Sequence, residues 1–119
     1  MSVRVYLPTT RAGLAALVGG DDDWRAVAGA EPVVAEGDSE DEEYAALMTA
    51  ADASTALYET LGEAGRRRVV VVAEVASPDA PVGLGDVASV HLDTDDRAAN
   101  ADPDDDLAWF VPEELQHLL

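Results

Sequence analysis

A run of four valines at residues 69–72 constrains the fold of this chain more than any other feature of its sequence. The run continues through Ala73, Glu74 and Val75, so only one of its residues is charged. β-branched side chains lose rotamer freedom on a helix and pack well on a pleated surface. A segment that is apolar on both faces is typical of an interior strand covered on both sides. We therefore expect residues 69–76 to form an interior strand of a sheet.

A long helix is predicted before this strand. Ser39 is a good N-cap, and Glu42, three residues later, can complete a capping box with it. Mostly apolar side chains then recur at the spacing of one helix face, and we expect them to pack on the sheet. They are Tyr44, Leu47, Met48, Ala51, Thr55, Tyr58 and Leu61. Gly62 and Gly65 are the expected stops, because glycine tolerates the left-handed conformation that ends many helices.

The length and composition predict one domain over residues 1–119, soluble and cytoplasmic. A chain of 119 residues can bury about two-thirds of the surface that it exposes when unfolded. It has no cysteine, which excludes a disulfide framework, a thiolate nucleophile and a cysteine-based zinc site. Arg4 and Arg11 interrupt the apolar residues near the N-terminus, so no signal peptide is expected. No apolar run approaches the roughly 20 residues of a membrane span.

The charge of the chain is strongly negative, with 25 acidic residues, seven basic residues and a net charge of −18. Such a surface repels the phosphates of nucleic acids and anionic lipid head groups, so we expect it to bind neither nucleic acid nor membrane. It would attract a basic protein partner. The alternatives are adaptation to salt, which screens self-repulsion, and the amino-acid usage of a GC-rich genome.

The first part of the chain predicts an opening strand and helix. Residues 3–7 alternate in polarity, and Pro8 is the expected end of this strand. A short helix capped by Thr9 or Thr10 follows, ending at Gly19 and Gly20. Residues 24–28 could form a short strand. Residues 29–38 read as a loop, with an extended piece at Val33 and Val34.

The last part of the chain predicts two strands, an acidic loop and a short helix. Residues 87–92 alternate, with Ala88, Val90 and Leu92 on one face. Residues 93–106 contain seven aspartates and little that could be buried, which predicts a mobile, exposed loop. Residues 107–111 form the last predicted strand. Pro112 suits the first turn of a C-terminal helix, where its missing amide hydrogen costs nothing.

The order of these elements, β-α-β-α-β-β-β-α, predicts the α/β class. We expect a single-layer mixed sheet of four or five strands with two main helices and a short C-terminal helix. Right-handed crossovers would place the two main helices against the sheet. A ferredoxin-like α+β sandwich is the alternative, because the order in which strands pair cannot be read from periodicity.

Several short segments occur in order along nearly the whole chain: residues 5–10, 36–38 leading into 43–46, 67–71, 88–93, and 107–110 before Glu114 and Leu115. Together they resemble a family of small actinobacterial proteins that is known only as a domain of unknown function. The chain lacks residues that the family usually carries between Ala76 and Val87. The resemblance implies a bacterial cytoplasmic protein. It implies no activity and transfers no site residue.

Arg66 and Arg67 are the first candidate contact residues, because with Arg68 they form the only basic cluster. An anionic ligand or an acidic partner could bind there. The alternative is that these arginines complement the negative C-terminal end of the preceding helix and pair with nearby carboxylates.

His91 and Tyr6 are the other two candidate contact residues. His91, on the polar side of its strand, could transfer a proton with help from Ser89 or Asp93; a partly exposed strand histidine is the alternative. We assign no catalytic, cofactor-binding or metal-binding residue. The aspartate clusters lack the glycine and glutamate of an EF-hand loop, and Gly-x-Gly at residues 83–85 lacks the third glycine of a dinucleotide site.

Two functional hypotheses follow. We prefer a non-enzymatic interaction or regulatory module, in which an acidic face or a sheet edge binds a basic protein or a second copy of the chain. The alternative is a small-molecule-binding domain or small enzyme. Its pocket would lie at the carboxyl ends of parallel strands, near Tyr6, Pro8, Ser77 and His91.

Overall fold

In the computed structural model, one sheet with two main helices confirms the predicted α/β class. The structure describes residues 2–20, 24, 31–62, 65–98, 100–103 and 105–117. The strands are β1 (Val3–Thr9), β2 (Val69–Val75), β3 (Val87–Leu92) and β4 (Ala108–Phe110), which lie side by side in that order. The helices are α1 (Arg11–Val18), α2 (Glu40–Leu61) and two 3-10 helices, Leu84–Asp86 and the C-terminal Pro112–His117.

β2 is the interior strand that the valine run predicts. It pairs with β1 on one side and β3 on the other. On one face of the sheet, Val69 and Val71 pack in a core that includes Leu14 and Leu17 of α1. On the other face, Val70 and Val72 pack against small side chains of α2. Both faces of β2 are apolar because a helix covers each face of the sheet.

The sheet is antiparallel in every described pairing, not mixed as expected. The connection between β1 and β2 contains both helices, which lie on opposite faces, and it returns the chain to the end of β1 that it left. Val69 therefore pairs with Thr9. The ferredoxin-like alternative does not describe this sheet, because it requires split β-α-β units with parallel strands. Of the predicted strand at residues 24–28, Trp24 is helical and the rest lies outside the described residues.

β1 continues through Pro8 to Thr9 instead of ending at residue 7. On its outer side, Tyr6 exchanges two backbone hydrogen bonds with Val33, of 2.8 and 2.9 Å. Main-chain groups alternate in direction along a strand, so the nitrogen of Pro8 also points outward and no bond to β2 is lost. The bridge confirms the extended piece predicted at Val33.

The predicted capping residues are confirmed, but the Glu42 carboxylate accepts a 2.8 Å hydrogen bond from the Ser39 hydroxyl and not from the Ser39 amide, as a capping box requires. Thr10 caps α1 by accepting a 3.3 Å hydrogen bond from the Gly13 amide. Ser39 caps α2 by accepting a 3.1 Å bond from the Glu42 amide, and Gly62 ends that helix in the left-handed conformation, at φ 68°. These are local signals, which neighbouring residues determine.

The buried face of α2 is rotated from the predicted one. Tyr44 is 49% exposed and Leu61 39% exposed, and Thr55 is exposed as well. The buried positions are Ala46, Ala50, Ala51, Ser54 and Tyr58, of which only Ala51 and Tyr58 belong to the predicted face. Small side chains let the helix lie close to the sheet, and this close approach outweighs the burial of the larger side chains.

Ser54 joins α2 to the sheet where β1 ends and β2 begins. Its hydroxyl donates a 2.6 Å hydrogen bond to the carbonyl of Thr9 and accepts a 2.9 Å bond from the amide of Val69. Thr9 and Val69 are register partners. The hydroxyl therefore satisfies two buried backbone groups at the end of the ladder.

In β3, an irregularity changes one predicted position. The register with β2 shifts between Val72 and Ala73, so that Ala73 pairs with Val87. Ala88, which the alternation places on the same face as Val90 and Leu92, is exposed. Val87 lies in the core in its place. Ser89 and His91 lie on the opposite face from Val90 and Leu92, as the alternation predicts.

Candidate functional site

Tyr6 and His91, two of the four predicted contact residues, lie together in one shallow groove of about 270 Å³. We call it the aromatic groove and define it by Tyr6, Tyr44, His91 and Trp109. The remaining lining residues are Arg4, Glu43, Leu47, Val72 and Ser89. Arg66 and Arg67 are not among its lining residues.

The groove exists because α2 covers only half of one sheet face. α2 packs on Tyr6 of β1 and on Val70 and Val72 of β2. The same face of β3 and β4 is left without a helix among the described residues. There His91 pairs with Trp109 across the two strands, and Trp109 is 60% exposed. The flank of α2 forms one wall and the β3–β4 pair the other.

His91 is partly buried in this groove. Burial lowers the pKa of His91 from its ordinary value, because the charged ring loses hydration. Its Nε2 lies 3.2 Å from the Ser89 hydroxyl. Of the two predicted helpers in proton transfer, Ser89 therefore contacts the ring, whereas both carboxylate oxygens of Asp93 bind Arg68.

Three carboxylates, those of Glu43, Glu74 and Asp106, lie at or near this groove. Arg4 lies 3.3 Å from Glu43 and 3.1 Å from Glu74, and its hydrogen bond to Glu74 is the main reason that the pKa of Arg4 is raised. Burial, and next the nearby charge of Glu43, raise the pKa of the Tyr6 phenol. The Tyr44 hydroxyl donates a 2.9 Å hydrogen bond to Asp106. The groove thus combines aromatic faces with an acidic rim.

Arg68 is the member of the arginine cluster that the structure buries, and sequence reasoning passed over it. Its side chain is 1% exposed. The guanidinium binds Asp93 through Nε–Oδ2 at 2.8 Å and Nη2–Oδ1 at 2.9 Å. It also donates to the carbonyls of Pro103 and Asp105, at 3.1 and 2.8 Å. Position along the chain is the signal that could have indicated this pair. Arg68 directly precedes one strand and Asp93 directly follows the next, so antiparallel pairing of the two strands brings them together.

Arg66 and Arg67 lie near the C-terminal end of α2. Arg67 Nε is 3.8 Å from Asp96 Oδ1, while the backbone amide of Arg66 donates to the same oxygen at 3.2 Å. Arg66 also lines a groove of about 530 Å³ together with Glu59 and Asp96. The ion pair of Arg67 agrees with the carboxylate-pairing alternative. Binding of an anion there stays a prediction.

The described residues contain neither a cluster of metal ligands nor a helix suited to spanning a membrane. Within the described ranges, no three metal-ligating side chains group closely enough to hold an ion. Neither of the two main helices, as far as they are described, has both the length and the apolar character of a membrane span.

The comparison with known proteins identifies a family without an assigned activity. No curated protein and no solved structure matches the chain. The sequence profile of a family of unknown function, DUF6912, matches residues 3–119 and thus nearly the whole chain. The chain therefore belongs to the family of unknown function DUF6912.

Proposed function

We propose that this chain is a non-enzymatic protein-interaction module that binds a basic partner protein at the aromatic groove. The observation that carries the proposal is Trp109, whose side chain is 60% exposed beside an acidic rim. Tryptophan is enriched among the residues that dominate binding energy at interfaces. An exposed tryptophan on a sheet face is therefore a candidate anchor for a partner.

The chemistry of the groove suits a cationic side chain. A guanidinium or ammonium stacked on a tryptophan or tyrosine face gains about 0.5–2 kcal/mol, depending on how far it is desolvated. Trp109 offers such a face, Glu43 lines the same groove, and Asp106 accepts the hydrogen bond of the Tyr44 hydroxyl. An arginine of a partner could contact a ring and a carboxylate at once.

Internal ion pairs leave the negative charge of the chain facing outward. Arg4, Arg67, Arg68 and Arg97 each lie no more than 3.8 Å from a carboxylate oxygen of the chain itself. The net charge of −18 is therefore carried by carboxylates in excess of these pairs. Such a field raises the rate of encounter with basic partners and falls with ionic strength.

The test is a titration with a peptide of alternating arginine and valine, and with a matched peptide in which glutamate replaces arginine. We expect only the basic peptide to bind, and Trp109→Ala to weaken it about tenfold or more. Leu84→Ala is the control, because Leu84 is also exposed and lies outside the groove lining. Calorimetry would measure affinity and circular dichroism the fold of each variant. Equal affinity of the two variants would refute the proposal.

A second candidate function is the binding of a small molecule, or a small enzyme, in the same groove. One observation favours it: Tyr6 and His91 line the same groove. The volume of about 270 Å³ is just below the roughly 300–1,000 Å³ of ordinary ligand pockets. Pro8 and Ser77, also predicted there, do not line it, and the described strands are not parallel. A ligand screen monitored by tryptophan fluorescence would distinguish this candidate.

The setting that we propose is the cytoplasm of an actinobacterium. It is supported by the resemblance of the chain to small actinobacterial proteins. A homodimer is the alternative assembly, which mutual repulsion of two copies with a charge of −18 each disfavours at low salt. Cell fractionation and sedimentation of the purified chain at low and high salt would test both points.

A further inference from the structure

We infer that the basic partner binds as an added β-strand along the outer edge of β4, as an extended segment that reads apolar–basic–apolar. This inference rests on the proposed function and specifies the conformation and sequence class of the partner. Addition of a strand to an exposed sheet edge is a recurrent mode of peptide recognition.

One edge of the sheet is occupied at its middle, and the other is open among the described residues. Along the outer side of β1, Val33 takes both main-chain hydrogen bonds of Tyr6, and Pro8 has no amide hydrogen to offer. β4 lies at the opposite edge and, of the described strands, pairs only with β3. No backbone group in the described ranges, other than those of β3, is seen to hydrogen-bond to Ala108–Phe110.

The direction of the main-chain groups of Trp109 follows from the register. The amide of Asp93 donates to the carbonyl of Arg68 at 3.1 Å, so Asp93 points toward β2. Because direction alternates along a strand, Leu92 and Val90 point the other way, toward β4. Their partners are Ala108 and Phe110. Those two residues therefore face β3.

It follows that the amide hydrogen and the carbonyl of Trp109 point to the open edge. If a peptide strand adds antiparallel to β4, its residue opposite Trp109 can donate its amide hydrogen to the Trp109 carbonyl and accept the amide hydrogen of Trp109. The side chain of that residue lies on the same face as Trp109 and His91, at the aromatic groove. A cationic side chain there meets the tryptophan ring and the acidic rim.

The residues on either side of that cationic residue lie on the other face of the sheet. There Phe110 is partly buried and packs against the core cluster that contains Leu115 and Val90. Apolar side chains on the incoming strand would extend this packing. Alternation of the two faces thus gives the sequence class apolar–basic–apolar.

The charge of the chain selects this occupant over a second copy. Two copies joined edge to edge would bring two net charges of −18 together. A basic segment instead lowers the charge of the complex. β4 has only three residues, so the added strand forms few hydrogen bonds, and we expect a weak and strongly salt-dependent complex.

The test uses the full chain and the peptide Val-Arg-Val-Arg-Val-Arg-Val with single backbone N-methyl groups. Methylation of the central arginine removes the hydrogen bond to the Trp109 carbonyl, and we expect binding to weaken about tenfold. Methylation of the valine next to it is the control, because its amide points away from β4 and binding should hold. Amide exchange measured by NMR should show that the peptide protects the amide of Trp109.

The outcomes separate this inference from the proposed function. If Trp109→Ala weakens binding but the two methylated peptides bind equally, or the Trp109 amide gains no protection, strand addition is wrong and the interaction module stands. If Trp109→Ala has no effect, the proposed function fails. A dimer at high salt that protects the Trp109 amide without peptide would make the second copy the occupant and overturn the inference.

Discussion

Arg68 holds Asp93 through both carboxylate oxygens, where β2 begins and β3 ends, with nitrogen–oxygen distances of 2.8 and 2.9 Å. The planar guanidinium matches the carboxylate, and its remaining donors reach two backbone carbonyls of the acidic loop. This pair ties the central strand to a segment that has little apolar surface of its own.

Arg68→Lys is expected to destabilise the chain by about 2–4 kcal/mol, since an ammonium cannot reproduce the paired hydrogen bonds of a buried guanidinium. Chemical unfolding in urea would measure the loss. The matched control is Arg66→Lys, because Arg66 is exposed. Equal midpoints for the two variants would show that the buried pair contributes no stability.

The predicted mobility of residues 93–106 can be tested with the same variant. Arg68 donates to the carbonyls of Pro103 and Asp105 in that loop. We expect amide exchange in the loop to accelerate in Arg68→Lys more than in Arg66→Lys. An unchanged loop in Arg68→Lys would mean that the guanidinium does not restrain it.

Ser54→Ala is expected to cost about 1–3 kcal/mol, because it leaves a backbone carbonyl and an amide without their shared partner. Those groups belong to Thr9 and Val69, which are fully buried. Thr60→Ala, on the exposed side of the same helix, serves as the control. Equal melting temperatures for Ser54→Ala and Thr60→Ala would contradict the bridging role of Ser54.

His91 makes stability depend on pH in a defined direction. Its pKa is 6.5 in the unfolded reference and is lowered by burial in the folded state. As the pH falls below 6.5, the unfolded chain binds the proton more readily, so the free energy of unfolding decreases until the folded pKa is passed.

The variant His91→Gln removes this contribution. We expect its unfolding free energy to fall less than that of the unmodified chain as the pH is lowered from 6.5. His117→Gln is the control, since His117 is the other histidine. Parallel stability curves for His91→Gln and the unmodified chain would show that His91 does not titrate on unfolding in this range.

Gly13→Ala is expected to destabilise the chain although alanine is the better helix former. A methyl group at Gly13 would lie 1.9 Å from the Thr9 side-chain oxygen. Relieving that clash should cost up to about 3 kcal/mol, against a gain in helix propensity of about 1 kcal/mol. Gly85→Ala is the control, because nothing lies within 4 Å of the corresponding position. A stabilised Gly13→Ala would refute the close packing of α1 on β1.

The sequence by itself determined the features that depend on near neighbours. The valine run predicted a buried interior strand, and Ser39, Thr10 and Gly62 marked helix ends correctly. Caps, periodicity and β-branched runs act within a few residues, so the chain carries them before it folds. The family resemblance was likewise readable from short segments, and the family of unknown function is confirmed.

The tertiary structure alone decided what depends on where the chain returns. The antiparallel direction of β2 follows from a connection with two helices, and the rotated face of α2 follows from small residues that fit close to the sheet. Arg68, rather than Arg66 or Arg67, is buried because Asp93 lies beside it across a strand pair. Tyr6 and His91 share a groove only after β1, β2 and β3 have paired. Contacts between distant residues depend on which strands pair and which faces pack together. Local sequence patterns predict neither.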